Sequence, residues 1–154
     1  MPKAGFYAIH SSKIRFGRDG CWYSDDEPIV NPRIAQLFSK NVVRQPDGTY
    51  RIEIGWDKAP IDVDDTPYVV RQVDTVDGAL MVELNDESRE KLDLSSLEIS
   101  EENVLYCTIK GGSERARFLR RAYHALAPHI HEAPSSFVVR ACGEEYPIAP
   151  SRRR

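Results

Sequence analysis

Three short turn signals constrain the fold of this 154-residue chain more than any other feature. Each has glycine as the second residue of a pair that separates two segments with alternating apolar and polar residues. The pairs are Asp19-Gly20, Asp77-Gly78 and Cys142-Gly143. Glycine accepts the left-handed backbone of a tight hairpin turn, and alternation is typical of a strand with one buried face. The sequence therefore predicts an α+β fold in which the sheets are mainly antiparallel.

Two segments depart from this alternation and carry apolar residues at helical spacing, which predicts two main helices. The first begins at Asn31-Pro32, where asparagine is a frequent N-cap and proline has no amide to leave unpaired. This helix is predicted over about residues 32–43. A turn at Gln45–Gly48 then leads into a strand.

The second helical segment follows Gly111-Gly112, and Ser113 is a suitable N-cap for it. Pro128 ends this helix near Ala127 because proline cannot continue a helix. One apolar stripe of the helix is predicted to lie beneath a sheet. The stripe consists of Phe118, Leu119, Ala122, Tyr123 and Leu126.

Both predicted helices lie between strand-like segments, with CWY and TYRIEI around the first and LYCTIK and SFVVRA around the second. This order predicts a repeated strand-helix-strand motif, similar in pattern rather than in residues. The length fits one compact domain over 1–154, or two similar halves of about 14–75 and 79–148 that share a core. Residues 149–154 are predicted to form a flexible basic tail.

Charge is distributed unevenly along the chain. Residues 57–103 carry 4 basic and 14 acidic side chains, whereas residues 104–154 carry 9 basic and 4 acidic ones. These regions either mark a partner surface or face each other, and the second interpretation is simpler. The overall acidity, with a pI near 5.8, argues against nucleic-acid binding. We therefore expect a set of arginines to be solvated or ion-paired: Arg115, Arg117, Arg120 and Arg121.

Cellular location is inferred from apolar runs and from cysteine. No stretch approaches the roughly 20 apolar residues of a membrane span, and the first residues lack the apolar run of a secretory signal. We therefore predict a cytoplasmic protein without a membrane partner. The three cysteines, Cys21, Cys107 and Cys142, have no metal-type spacing and are predicted to be reduced and structurally buried.

The main candidate binding site surrounds the glycine pair that precedes the predicted second helix. Exposed amides at a helix start, with cations nearby, favour a phosphate or a carboxylate. The residues assigned to this anion site are Lys110, Gly111, Gly112, Ser113 and Arg115. The pattern matches neither a P-loop nor a dinucleotide fingerprint, so a plain strand-to-helix turn is the simpler interpretation and no cofactor is expected.

Histidines and aspartates are two further groups of candidate ligands. The first group is His124, His129, His131 and Glu132. Its histidines are spaced by five and then two residues, whereas helical metal ligands usually stand four apart, so no metal is expected. The second group is Asp57, Asp62, Asp64 and Asp65. It lacks the order of a calcium loop, and Asp62 and Asp64 are predicted to face solvent opposite Ile61 and Val63.

Several of these stretches resemble a bacterial family catalogued as domain of unknown function 1285. The similar segments are DGCWYSDDEPI, LFS, DGTYRIE and IDVDDTPYVV in the first half and LYCTIKGGSERARFLRRAYHAL in the second. Together they span about residues 14–127. The resemblance implies an α+β fold with a repeated motif and a suspected role in signal transduction.

From these observations we predict a non-enzymatic regulatory or ligand-sensing domain. A small anionic ligand or an acidic protein segment would bind near Lys110–Arg115. One alternative is a metal-dependent hydrolase that uses His124, His129 or Asp64. Another is a protein-interaction module whose exposed anchors are Trp22, Tyr23 and Trp56, although Trp22 is better suited to the core. The ligand and the oligomeric state do not follow from the sequence.

Overall fold

The computed structural model describes residues 13–151. The chain divides into two compact units, Met1–Pro67 and Tyr68–Arg154. This boundary falls before the long strand that begins at Tyr68, whereas the predicted halves were divided after that strand. The strand belongs to the second unit because both of its pairing partners lie there.

The first unit contains a six-stranded sheet with the order β3-β2-β1-β6-β5-β4. Its elements are β1 (Ile14–Phe16), β2 (Trp22–Ser24), β3 (Glu27–Pro28), α1 (Pro32–Lys40), β4 (Val42–Arg44), β5 (Tyr50–Ile54) and β6 (Asp57–Val63). The predicted hairpin at Asp19-Gly20 is confirmed by the antiparallel pairing of β1 with β2. The turn at Gln45–Gly48 joins β4 to β5, which are also antiparallel.

Helix α1 begins as predicted, since the Asn31 side chain accepts a hydrogen bond from the amide of Arg33 at 2.9 Å. It ends at Lys40 rather than near residue 43, because Val42 already pairs with β5. The helix contributes Phe38 to an aromatic cluster with Trp22, whose ring centroid lies 5.5 Å away. The indole nitrogen of Trp22 donates a 2.9 Å hydrogen bond to Ser39 Oγ, so the polar atom of this buried ring is satisfied.

The second unit contains a nine-stranded sheet with the order β13-β14-β15-β10-β11-β12-β7-β8-β9. Its strands are β7 (Tyr68–Val76), β8 (Ala79–Leu84), β9 (Arg89–Lys91), β10 (Glu98–Ile99), β11 (Leu105–Ile109), β12 (Glu114–Phe118), β13 (Ile130–Glu132), β14 (Phe137–Ala141) and β15 (Glu144–Pro150). Helix α2 spans Arg120–Leu126, and single 3-10 turns occur at Leu94–Ser96, Lys110–Gly112 and Ala127–His129. The hairpins predicted at Asp77-Gly78 and Cys142-Gly143 are confirmed.

The fold is mixed α and β, as predicted, but the sheets are mixed rather than purely antiparallel. Hairpins supply the antiparallel pairs because a two-residue turn reverses the chain. Strands that return through longer connections pair in parallel, and these pairs are β1 with β6, β12 with β7, and β10 with β15. None of the helices in the described part of the chain is long and apolar enough to cross a membrane.

The prediction for the second helix is wrong over its first half. Residues Glu114–Phe118 form strand β12, which pairs with β11 on one side and β7 on the other. The segment ERARF buries every second side chain, Ala116 and Phe118, which is the period of a strand. Helix α2 therefore begins only at Arg120, and β12 interrupts the strand-helix-strand order predicted for this half.

The apolar stripe of the predicted second helix nevertheless contributes to the core. Phe118, Ala122 and Leu126 are buried, and Tyr123 packs against the same cluster while Leu119 is half-buried. Residues 149–151, predicted as the start of a tail, are held by the pairing of β15 with β10 and by a hydrogen bond from the Ser151 amide to the Ile99 carbonyl. Residues 152–154 of that predicted tail lie outside the described residues.

Candidate functional site

The predicted anion site lies in the turn of the β11–β12 hairpin and not at a helix start. Three successive residues, Lys110, Gly111 and Gly112, have φ values of 56°, 68° and 94°. The amide and hydroxyl of Ser113 both donate to the Lys110 carbonyl, at 3.3 and 2.8 Å. Both glycines are exposed, and a Cβ added to either would contact nothing within 4 Å. Their solvent-facing backbone remains accessible, but no helix dipole assists it.

Lys110 joins this turn to the turn between β8 and β9. Its amide donates to both carboxylate oxygens of Glu90, at 3.1 and 3.2 Å. Its Nζ donates to Asp86 Oδ2 at 2.7 Å and to Ser88 Oγ at 3.2 Å, and lies 4.9 Å from the centroid of the Tyr68 ring. The left-handed backbone of a lysine costs energy, and these contacts compensate for it.

Two titratable groups beside Lys110, Tyr68 and Asp86, have pKa values shifted away from neutral pH. Burial, together with the charges of Asp86 and Glu114, raises the pKa of Tyr68 to about 12. Burial alone would raise the pKa of Asp86, but hydrogen bonds from Lys110 and Ser88 outweigh it, and this pKa lies below its ordinary value. At pH 7 Tyr68 is therefore protonated and Asp86 is ionised.

Arg115 lies over a second tyrosine. Its guanidinium carbon is 4.2 Å from the centroid of the Tyr106 ring, which is within the range of a cation–π contact. Its Nη2 donates to Glu98 Oε1 at 3.2 Å and to Ser151 Oγ at 3.0 Å. One cation–tyrosine pair, Lys110 with Tyr68 of β7, thus lies near the hairpin turn, and the other, Arg115 with Tyr106 of β11, lies along the hairpin.

The strand register places these two pairs on opposite faces of the sheet. Ala116 of β12 is opposite Cys107 and Tyr68, which point to the core. Arg115 precedes Ala116 and is opposite Thr108, so it points to the other face. Because the Lys110 ammonium lies over Tyr68, the structure does not bring Lys110 and Arg115 together around one ligand.

The ion pairs of both cations connect the acidic and basic regions of the sequence. Asp86 and Glu98 belong to the acidic segment 57–103, and Lys110 and Arg115 belong to the basic segment that follows. The structure therefore shows contacts of the kind expected if the two regions face each other. These carboxylate partners were missed from the sequence because they lie 24 and 17 residues from their cations.

Comparison with known proteins identifies the fold. No family model matches the sequence, and no curated protein matches it. A crystal structure of a DUF1285 family protein from Silicibacter pomeroyi is similar with a TM-score of 0.71 and 19% identity, over 90% of this chain and 80% of that one. A DUF1285 family protein from Shewanella baltica is similar with a TM-score of 0.60 and 15% identity, over 77% of this chain and 92% of that one.

The chain has the DUF1285 fold. The resemblance found in the sequence is thus confirmed at the level of the fold. At these sequence identities the similarity to DUF1285 proteins establishes the architecture alone. The function of the site is therefore inferred from its own geometry.

In this DUF1285 fold the histidines are not gathered into a metal site. His124 is exposed on α2, His131 and Glu132 are exposed on β13, and Nδ1 of His129 lies 3.3 Å from the Arg140 carbonyl oxygen. Within residues 13–151, no group of three histidine, cysteine, aspartate or glutamate side chains is arranged to hold a metal ion.

The aspartates of the first unit follow the predicted strand pattern. Asp62 and Asp64 are exposed, whereas Ile61 is buried and Val63 half-buried, so their placement on the solvent face is confirmed. Asp64 accepts a 2.6 Å hydrogen bond from Arg15. Its carboxylate thus forms an ion pair on the sheet surface.

The three aromatic candidates have different environments. Trp22 is buried in the core, as predicted. The Tyr23 ring lies 4.2 Å from the Arg15 guanidinium, and its hydroxyl donates to Asp19 at 2.6 Å. Trp56 follows Gly55 in the tight turn between β5 and β6 and is 99% exposed.

The burial predicted for cysteine holds for one residue of three. Cys107 is buried, and burial raises its pKa to about 12. Cys21 and Cys142 are exposed, which corrects the prediction. Both lie in or beside hairpin turns, and turns run over the protein surface.

Proposed function

We propose that the protein is a non-enzymatic regulatory or ligand-sensing domain of the kind used in signal transduction. It would bind a small anionic ligand, or an acidic segment of a partner protein, at the hairpin turn that spans Lys110 to Arg115. The observation that carries this proposal is that two cations of the hairpin, Lys110 in the turn and Arg115 in β12, each lie against a tyrosine ring, at 4.9 and 4.2 Å. Cations held in place before binding lose less conformational entropy when an anion arrives.

Protonation states favour binding over catalysis at this hairpin. A general acid or base works best when its pKa lies near the operating pH. Tyr68 and Cys107 each have a pKa of about 12, and the pKa of Asp86 is shifted down from its ordinary value. These three groups do not exchange protons readily at pH 7, and the Cys107 thiol is not an activated nucleophile.

The exposed thiols of Cys21 and Cys142 suit a reducing compartment, so the proposal includes a cytoplasmic location.

A thermal-shift screen against nucleotides, inorganic phosphate and small carboxylates tests the proposal. A ligand that binds the native state raises its stability by about 2.7 kcal/mol when present at a hundred times its Kd. We expect at least one compound to raise the Tm as its concentration increases. Because Lys110 and Arg115 lie on opposite faces of the sheet, one of the two variants Lys110→Gln and Arg115→Gln should abolish the response and the other should retain it. Arg140→Gln is the matched control, because Arg140 is another exposed, paired arginine of the same unit. A panel without any response, or a response that both test variants retain, would contradict the proposal.

A protein-interaction module is a second candidate, favoured by the exposure of Trp56. Aromatic residues at interfaces often contribute most of the binding energy, and a fully exposed tryptophan gains a large buried area on docking. The chain has two tryptophans, and Trp22 is buried. A partner identified by cross-linking should bind the purified chain and blue-shift the emission of Trp56. Binding that Trp56→Ala leaves unchanged would exclude this anchor.

The metal-dependent hydrolase predicted as an alternative can be tested directly. Metal analysis of the purified protein should find zinc or manganese at one equivalent if that alternative holds. The metal should then be lost in His129→Ala.

A further inference from the structure

The guanidinium of Arg115 is held in position, but only some of its N–H donors form hydrogen bonds. Tyr106 supports its face, and Nη2 carries both of its hydrogen bonds, to Glu98 and Ser151. Within residues 13–151, neither Nε nor Nη1 has a hydrogen-bond partner, and 40% of the side chain is exposed. Arginine presents its donors in a planar fork that matches the oxygen pair of a carboxylate or a phosphate. Each two-donor edge of this fork includes Nη2, so displacement of Glu98 from Nη2 would complete one edge for a ligand.

Two residues with hydroxyl side chains are neighbours of Arg115, one by strand register and one by a hydrogen bond. Thr108 is directly opposite Arg115 in the β11–β12 pair, so both side chains project from the same face. Ser151 Oγ accepts the hydrogen bond from Arg115 and retains its own proton for another acceptor. An anion at this position would meet a fixed cation and two hydroxyl donors.

Glu98 competes only weakly with a ligand for Arg115, whereas Asp86 holds Lys110 more strongly. The Glu98 side chain is 36% exposed and contacts Arg115 at 3.2 Å, so it can return to water when it is displaced. Asp86 is only 13% exposed and contacts Lys110 at 2.7 Å. Displacing it would leave a largely buried carboxylate without its cation, which is costly. The comparison selects Arg115 as the cation that can accept a ligand.

We infer that Arg115, Thr108 and Ser151 form a binding site for the oxyanion group of a small molecule, which replaces the Glu98 carboxylate. The oxyanion is a carboxylate or a phosphate. This inference rests on the proposed function and deepens it, because it assigns the ligand to one cation and one face of the sheet.

Titration of ¹⁵N-labelled protein with inorganic phosphate and with succinate, at constant ionic strength, tests the inference by NMR. The amide signals of Thr108, Arg115 and Ser151 should shift with one common Kd for at least one probe. Arg115→Lys keeps the charge but loses the planar fork, and we expect Kd to rise about tenfold. Glu98→Gln removes the internal competitor, and Kd should fall about threefold, since exposed ion pairs are weak. Lys110→Gln should leave Kd within about twofold of the wild-type value.

Glu145→Gln is the matched control for the change in net charge. It frees Arg140 from an exposed ion pair just as Glu98→Gln frees Arg115, and Kd at the three amides should stay the same. A Kd that is equally lowered in both variants would show a general charge effect and overturn the inference.

Two other outcomes separate this inference from the proposed function. Binding that is lost in Lys110→Gln and retained in Arg115→Lys would overturn the inference while supporting an anion site at the turn. Absence of binding by both probes, even in Glu98→Gln, would also overturn the inference. The thermal-shift screen with larger ligands would then decide the proposed function independently.

Discussion

The ion pair between Lys110 and Asp86 should stabilise the second unit more than its separation alone suggests. Its 2.7 Å distance equals that of the pair between Arg140 and Glu145, but the burial differs. The side chains of Lys110 and Asp86 are 29% and 13% exposed, whereas both members of the other pair are 54% exposed. Exposed pairs are worth roughly 0.2–1 kcal/mol, and breaking a fully buried pair costs about 3–5 kcal/mol. We expect a coupling energy of ~1–2 kcal/mol for the partly buried pair and at most ~0.5 kcal/mol for the exposed one.

Two double-mutant cycles measure these energies at pH 7. One cycle uses Asp86→Asn and Lys110→Gln, and the control cycle uses Glu145→Gln and Arg140→Gln. Urea unfolding should be followed by circular dichroism, because both tryptophans lie in the first unit and do not report on the second.

The pH dependence of the coupling provides a further check. The pKa of Asp86 is lower in the folded state, so its stabilisation is present above the ordinary value of 3.8 and is lost as the pH falls through the folded value. The coupling should therefore be complete at pH 7 and decline only in the acid range below about pH 4. Equal coupling energies in the two cycles, or a coupling that persists unchanged in acid, would refute the reasoning from burial.

Three further predictions follow from buried groups. Ser39→Ala removes the acceptor of the buried Trp22 indole N–H and should cost ~1–3 kcal/mol in urea unfolding followed by tryptophan fluorescence; wild-type stability would mean that the bond contributes nothing. The pKa of Tyr68 is raised to about 12, so the free energy of unfolding should fall by up to roughly 2 kcal/mol as the pH rises from about 10 towards 12, and the Tm should fall with it. Tyr68→Phe should flatten this fall, and an unchanged slope would assign it to other groups. Cys142 should react with a thiol reagent at once and Cys107 only after unfolding, so comparable rates in the native protein would contradict the burial of Cys107.

Hairpins were predictable because the relevant physics is local. At Asp19-Gly20, Asp77-Gly78 and Cys142-Gly143 the glycine permits the turn, and the alternating residues on either side specify which strand faces are buried. The start of α1 was predictable for the same reason, since an asparagine cap and a following proline act within one helical turn. The parallel pairs were not predictable, because nothing near β6 or β12 in the sequence indicates a partner 40 or more residues away.

The residues after Gly111-Gly112 illustrate how local signals can favour two structures. A serine after a glycine pair can cap a helix, and the apolar residues from Phe118 onward do have helical spacing. The segment ERARF also alternates, which favours a strand, but this signal extends over only 5 residues. The segment forms a strand because it lies between β11 and β7. There both edges of β12 form backbone hydrogen bonds and Ala116 is buried.

By itself, the sequence determined the hairpins, the start of α1, the core position of Trp22 and the identity of the cations at the β11–β12 turn. These features depend on residues that are neighbours in the chain. Only the tertiary structure decided that Lys110 pairs with Asp86, that Arg115 pairs with Glu98, and that the two cations occupy opposite faces of the sheet. Strand register and burial bring such partners together from 17 or 24 residues away, and no spacing in the sequence records the register.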